Sequence, residues 1–188
     1  KNSNAVLNLG KSGQQANLYP AIKNNKASVN QYGAITVIGT NANEGGTVNM
    51  YSGVVTDNVS EQAGAAIYAN GGRNTYFNFD AGIITSNQAN IYKQTNTFSA
   101  AGVDTVTDNS VPVKISGSVI IRGNESGKDP ESDLIKCNLR TNPKDLIIDG
   151  DLNLMSDICV YSDNEYLEGS YFAKSSTDKS QKLNKITK

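Results

Sequence analysis

Gly46-Thr-Val-Asn-Met-Tyr-Ser-Gly53-Val-Val-Thr-Asp-Asn58 and Thr75-Tyr-Phe-Asn-Phe-Asp-Ala-Gly82-Ile-Ile-Thr-Ser-Asn87 lie 29 residues apart and align without a gap. Asn49 meets Asn78, Gly53 meets Gly82, Thr56 meets Thr85 and Asn58 meets Asn87. Val48 and Met50 meet Phe77 and Phe79, and Val54-Val55 meets Ile83-Ile84. Within each block, apolar and polar residues alternate, the signature of a strand that buries one face. The shared Gly sits between two such strands, where a bend or a positive φ costs glycine least.

The cycle continues outward from this pair. Ala66-Ile67-Tyr68 follows the first block and Asn90-Ile91-Tyr92 follows the second, with a shorter turn between. Val113 to Ile121 around Gly117, and Leu146 to Leu154 around Gly150, repeat strand, glycine, strand. Gly33-Ala34-Ile35 matches Gly64-Ala65-Ala66-Ile67. A period of about 24 to 35 residues holding three short strands is the mark of a repeat architecture. Antiparallel hairpins would place tight two-residue turns at fixed positions, and none recurs here. Stacked coils of parallel strands account for Asn recurring at one place and apolar residues at another. The expectation is an all-β, right-handed, single-stranded parallel β-helix of about five rungs.

Composition agrees. The chain has 188 residues, of which 24 are Asn, 18 Ser, 17 Gly and 13 Thr, so turns and polar strand faces dominate. Seventeen Lys and Arg against 18 Asp and Glu give no basic excess for neutralising phosphates, so nucleic acid is not an expected partner. The absence of His excludes Ser-His-Asp and Cys-His chemistry and His-ligated zinc. No stretch approaches the roughly 20 apolar residues of a membrane-spanning helix. Residues 1–30 read as a cap or first irregular rung, 31–168 as the β-helix and 169–188 as a Lys- and Ser-rich tail or cap. Residues 94–112 break the period and read as a longer loop or an irregular rung.

Thr47-Val-Asn-Met-Tyr-Ser-Gly-Val-Val-Thr-Asp-Asn58, followed by Gly64-Ala-Ala-Ile-Tyr68, resembles the β-helix repeats of large surface proteins of gut Gram-positive bacteria. More distantly it is similar to the repeats of chlamydial polymorphic outer-membrane proteins. The resemblance spans roughly residues 30 to 162, with Ser52 or Ala81 where the family carries the first of two glycines. It implies a non-catalytic module of an exported protein at the bacterial cell surface: a stalk or adhesin that presents a face to a host or matrix glycan or protein. It further implies a monomeric piece of a longer chain. The alternative is a carbohydrate-active β-helix, a polysaccharide lyase or hydrolase or a glycan-binding relative.

Few side chains offer chemistry. Asp149 and Asp151 flank Gly150 on one strand face and could bracket a Ca²⁺ ion, with Asp157 nearby, although Asp beside Gly is also ordinary turn chemistry. No other cofactor is expected. Tyr68 and Tyr92 each follow an inward Ile and are expected outward on adjacent rungs, either stacking for the sheet's own stability or gripping a sugar or peptide. Cys137 and Cys159 are the sole candidates for a disulfide; alternation turns Cys137 inward and Cys159 outward, so two free thiols are expected. Arg73, Arg122 and Arg140 fall outside any acidic cluster in the sequence, which favours the non-enzyme.

Overall fold

The structure is a computed structural model that describes residues 5–13, 19–28, 32–39, 44–61, 64–70, 74–89, 93–94, 97–98, 100–105, 111–126, 138–141, 145–153, 156–161, 174–175 and 186–187. Over these residues the chain is all β, without an α-helix. Its strands begin with β1 (Ala5–Leu9), β2 (Ala21–Lys23), β3 (Lys26–Ala27) and β4 (Ile35–Ile38). The same order returns as β5 (Gly46–Met50), β6 (Val54–Thr56), β7 (Val59–Ser60) and β8 (Ile67–Asn70). On the next pass the first two strands fuse into β9 (Tyr76–Thr85), followed by β10 (Gln88–Ala89), β11 (Lys93–Gln94), β12 (Thr97–Phe98) and β13 (Val103–Thr105). Then come β14 (Val113–Ile121), β15 (Glu125–Ser126), β16 (Leu139–Arg140), β17 (Leu146–Leu152), β18 (Asp157–Tyr161), β19 (Lys174–Ser175) and β20 (Ile186–Thr187).

Each strand pairs in parallel with its equivalent one pass later. The 29-residue offset read from the sequence is the observed register: Val48 pairs with Phe77, Asn49 with Asn78, Met50 with Phe79 and Val55 with Ile84. Among the described residues the one antiparallel pair is β11 with β12, at the start of the stretch 94–112 expected to be irregular. Val103–Thr105, also in that stretch, lies in regular parallel register between β8 and β16.

Register converts the alternation into continuous apolar columns. Leu9, Met50, Phe79, Ile115 and Ile148 follow one another in the first ladder. Ile22, Val55, Ile84, Ile121 and Ile158 do so in the second. Ile35, Ile67, Val103, Leu139 and Val160 do so in the ladder opposite. These side chains form a single core, and most are completely buried. Each fully buried aliphatic or aromatic side chain contributes about 1.5 to 3 kcal/mol. Phe77 and Phe79, expected in the core from their alternation, are both there, with ring centroids 5.9 Å apart.

Between the second and the opposite ladders runs a two-residue ladder, β3–β7–β10–β15, which sequence alone leaves hidden in a turn. An Asn precedes each of these strands: Asn25, Asn58, Asn87 and Asn124. The residue before each Asn has positive φ: Asn24, Asp57, Ser86 and Gly123. That left-handed residue turns the chain between the two strands and leaves the Asn side chain pointing along the stack. Asn58 donates both its backbone N–H (3.1 Å) and its side-chain amide (2.8 Å) to Asn87 Oδ1. Asn25 does the same to Asn58, Asn87 to Asn124, and Asn124 to Asn138. The amides of Asn58, Asn87 and Asn124 also donate to backbone carbonyls of the preceding pass. A buried corner that would otherwise strand polar groups is thereby satisfied.

The bend between the first two strands is made at Gly53, Gly82 and Gly150, all with positive φ. In the later passes the register slips there, once between Ile115 and Gly117 against β17 and once between Ile115 and Ser118 against β9. Such bulges push extra residues out of the ladder toward the surface, and they shape the groove described next.

Candidate functional site

The outward face of the first ladder carries a second row of amides. Asn8, Asn49 and Asn78 are in register. Asn49 Nδ2 donates to Asn8 Oδ1 at 2.8 Å, and Asn78 Nδ2 donates to Asn49 Oδ1 at 2.8 Å. Asn8 is exposed and Asn49 and Asn78 are half-buried, whereas the corner residues Asn58, Asn87 and Asn124 are buried. The next position in register is Lys114, whose ammonium lies 3.5 Å from the Asp149 carboxylate.

Two residues on along the strands, toward the bend, lie Tyr51, Asp80 and Ser116. The Ser116 hydroxyl donates to Asp80 Oδ1 at 2.7 Å across the bulge. Asn49, Tyr51, Asn78, Asp80, Lys114, Ser116 and Asp149 line a shallow groove of about 210 Å³. Two residues before Asn78, on the same face, Tyr76 is 40% exposed. The groove combines fixed amides, two carboxylates, one ammonium and the Tyr51 ring on a hydrogen-bonded sheet, with Tyr76 beside it. That inventory suits recognition of a polar ligand by hydrogen bonds, with aromatic surface alongside.

The residues singled out from sequence fare differently. Asp149 is in the groove, engaged by Lys114. Asp151 is exposed beyond Gly150, in the stretch where the register slips. Among the described residues no group of three or more His, Cys, Asp or Glu converges as a metal site would require. Asp157 instead accepts from Arg122.

Tyr68 departs from expectation. It was expected outward and open, but it is 3% exposed. Its ring stacks on Tyr32, with centroids 3.8 Å apart and planes within 1°. Its neighbours in register are Thr36 and Asp104, not Tyr92. The cover comes from Tyr32, a residue of the preceding pass outside the repeat units compared in the sequence. Burial, then the hydrogen bond and charge of Tyr32, then the charge of Asp104, push the Tyr68 phenol well above the usual tyrosine range; Arg140 opposes them weakly. Tyr92 and Cys137 lie outside the described residues, as does the side chain of Cys159.

Sequence reasoning also missed the ion pair beside Tyr68. Arg140 Nη1 lies 3.3 Å from Asp104 Oδ1, with both side chains buried. Asp104 Oδ2 also accepts the Ala100 N–H at 3.0 Å. The two residues are 36 positions apart, so no local charge cluster announces them, although their places in the Ile67–Val103–Leu139 register do. No helix among the described residues is long and apolar enough to cross a membrane. Compared with protein-family models, with curated proteins and with solved structures, the chain matches none.

Proposed function

We propose that the stacked ladders are the rungs of a right-handed parallel β-helix, about five in number. The module belongs to an exported bacterial surface protein and is not catalytic. Its stiffness comes from strands bonded to the passes before and after them, and its task is to present a binding face to a host or matrix glycan or protein. The observation that carries this reading is the outward-facing, partly exposed row Asn8–Asn49–Asn78 leading into the groove with Tyr51, Asp80, Lys114 and Asp149. A row of amides held by one another loses little entropy when a ligand arrives, which favours binding.

The experiment is a binding screen of the full chain against glycans and extracellular-matrix proteins, repeated with Asn78→Ala. Binding that weakens in the variant supports the reading, and a screen without any binder overturns it.

A second reading, a carbohydrate-active enzyme, draws on Asp80 and Asp149 lining one groove with Lys114. Paired carboxylates could share general acid and base roles. Cleavage of a polysaccharide that disappears in both Asp80→Asn and Asp149→Asn would establish it in place of the first.

A further inference from the structure

We infer that the groove takes an uncharged, hydroxyl-rich saccharide chain, laid across the strands along the Asn8–Asn49–Asn78 row. This inference rests on the binding-face reading above and names the ligand class for it.

The first support is hydrogen-bond inventory. An Asn side chain has two N–H donors and two acceptor lone pairs. Asn49 spends one donor on Asn8 and one lone pair on Asn78. One N–H and one lone pair remain, side by side and fixed in orientation. A pair of neighbouring sugar hydroxyls, each able to donate and accept, complements that arrangement. A carboxylate or sulfate offers acceptors alone and leaves the amide oxygens unmatched.

The second support is spacing. Equivalent residues on adjacent strands stand about 4.8 Å apart, close to the advance of one pyranose unit in an extended glycan. Successive amides therefore meet successive sugars in the same way. Asn8, Asn49, Asn78 and then Lys114 provide four such positions in register.

Charge is the third. Lys114 is paired with Asp149, and Asp80 takes the Ser116 hydroxyl with no cation beside it among the described residues. The groove side chains thus carry two negative charges against one positive, which repels a polyanion. Tyr76 and Tyr51 lie diagonally on either side of the Asn78–Asn49 pair and supply ring faces for the C–H surface of a sugar.

The test is calorimetric titration of the full chain with β-1,4-linked oligosaccharides of glucose and of N-acetylglucosamine, two to six units long, beside polygalacturonate and heparin. The neutral series is expected to bind, gaining affinity up to about four units and changing little with salt. Asn78→Ala and Tyr76→Ala should each weaken it by about tenfold while still showing a cooperative thermal melt. If polygalacturonate or heparin binds instead, with an affinity that falls in salt and in Lys114→Ala, the ligand class is wrong while the binding face stands. A matrix protein bound through Asn78, with no glycan bound, has the same meaning. If no probe binds, both readings fall.

Discussion

Asn58 donates its side-chain amide to Asn87 Oδ1 at 2.8 Å across 29 residues of chain, and its own Oδ1 receives the amide of Asn25 at 2.8 Å. Each of these asparagines is therefore donor to the next pass and acceptor from the last. Replacing Asn87 by Ala removes the acceptor for two buried donors of Asn58. The expected loss is about 3 kcal/mol in urea unfolding. Asn25→Ala, at the exposed end of the row, should cost less than about 1 kcal/mol by the same measurement. Equal losses at the two positions would contradict a row that matters through burial.

Gly33 tests close approach between passes. A Cβ built there falls well inside contact distance of the backbone carbonyls of Gly64 and Ala65, and the Ala65 carbonyl is held by the Ala34 N–H. Gly33→Ala is expected to destabilise by about 3 kcal/mol or more. Gly13 has open space around it and a φ of +77°, so Gly13→Ala should show only the cost of the left-handed backbone, about 1 kcal/mol. Thermal melts of the two variants side by side check the contrast.

Asp104 and Arg140 form a buried pair, and removing one side takes the opposite charge away from a buried ion. Arg140→Met is expected to cost about 3 to 5 kcal/mol. The double variant Asp104→Asn, Arg140→Met should lose less than Arg140→Met alone, since the buried negative charge is removed with its cation. A double-mutant cycle by chemical denaturation measures both.

Tyr68 makes alkaline stability informative. Its phenol loses a proton less readily in the folded chain than in the unfolded chain, where it titrates near about 10. The folded state therefore holds more protons at high pH. The contribution is complete below the unfolded pKa and is lost as pH rises from there through the folded value. The difference in stability between the parent and Tyr68→Phe should be flat from pH 7 to about 9 and then shrink by at most about 1.4 kcal/mol per pH unit. A difference that stays constant up to about pH 12 would contradict the buried, stacked phenol.

Lys114 and Asp149 are both nearly half exposed. Asp149→Asn should shift stability by no more than about 1 kcal/mol, so a change in ligand binding by this variant reads on the groove and not on folding. Differential scanning fluorimetry beside the titrations separates the two.

The register was legible where a face repeats its own chemistry. Asn49 over Asn78 and Val55 over Ile84 stand in the ladders as they stand in the aligned sequence. The corner asparagines were half legible: Asn58 and Asn87 share the regular offset, whereas Asn25, Asn124 and Asn138 sit 33, 37 and 14 residues from their neighbours in the row. Turn length varies freely at that corner while the bond does not. The local cue is a turn-forming residue followed by Asn, as in Asp57-Asn58 and Ser86-Asn87. Tyr68 was misjudged because alternation tells which way a side chain leaves its strand, and says nothing of Tyr32 folding over it. In the groove, Asp149 was visible as a carboxylate beside glycine, while its meeting with Lys114 rests on the pairing of Lys114 with Ile147, two residues before it on the neighbouring strand, which no local charge pattern foretells.

From Asn25 to Asn58, Asn87 and Asn124, each link between passes points the same way, from the earlier pass to the later. A protein built so can change its length in whole steps. Deleting one pass, from a point after Asn58 to the equivalent point after Asn87, joins a donor to an acceptor of the same kind and leaves each apolar column shorter by one side chain. Reach then becomes a quantity that tandem duplication or loss can tune, with no new interaction to invent at the seam.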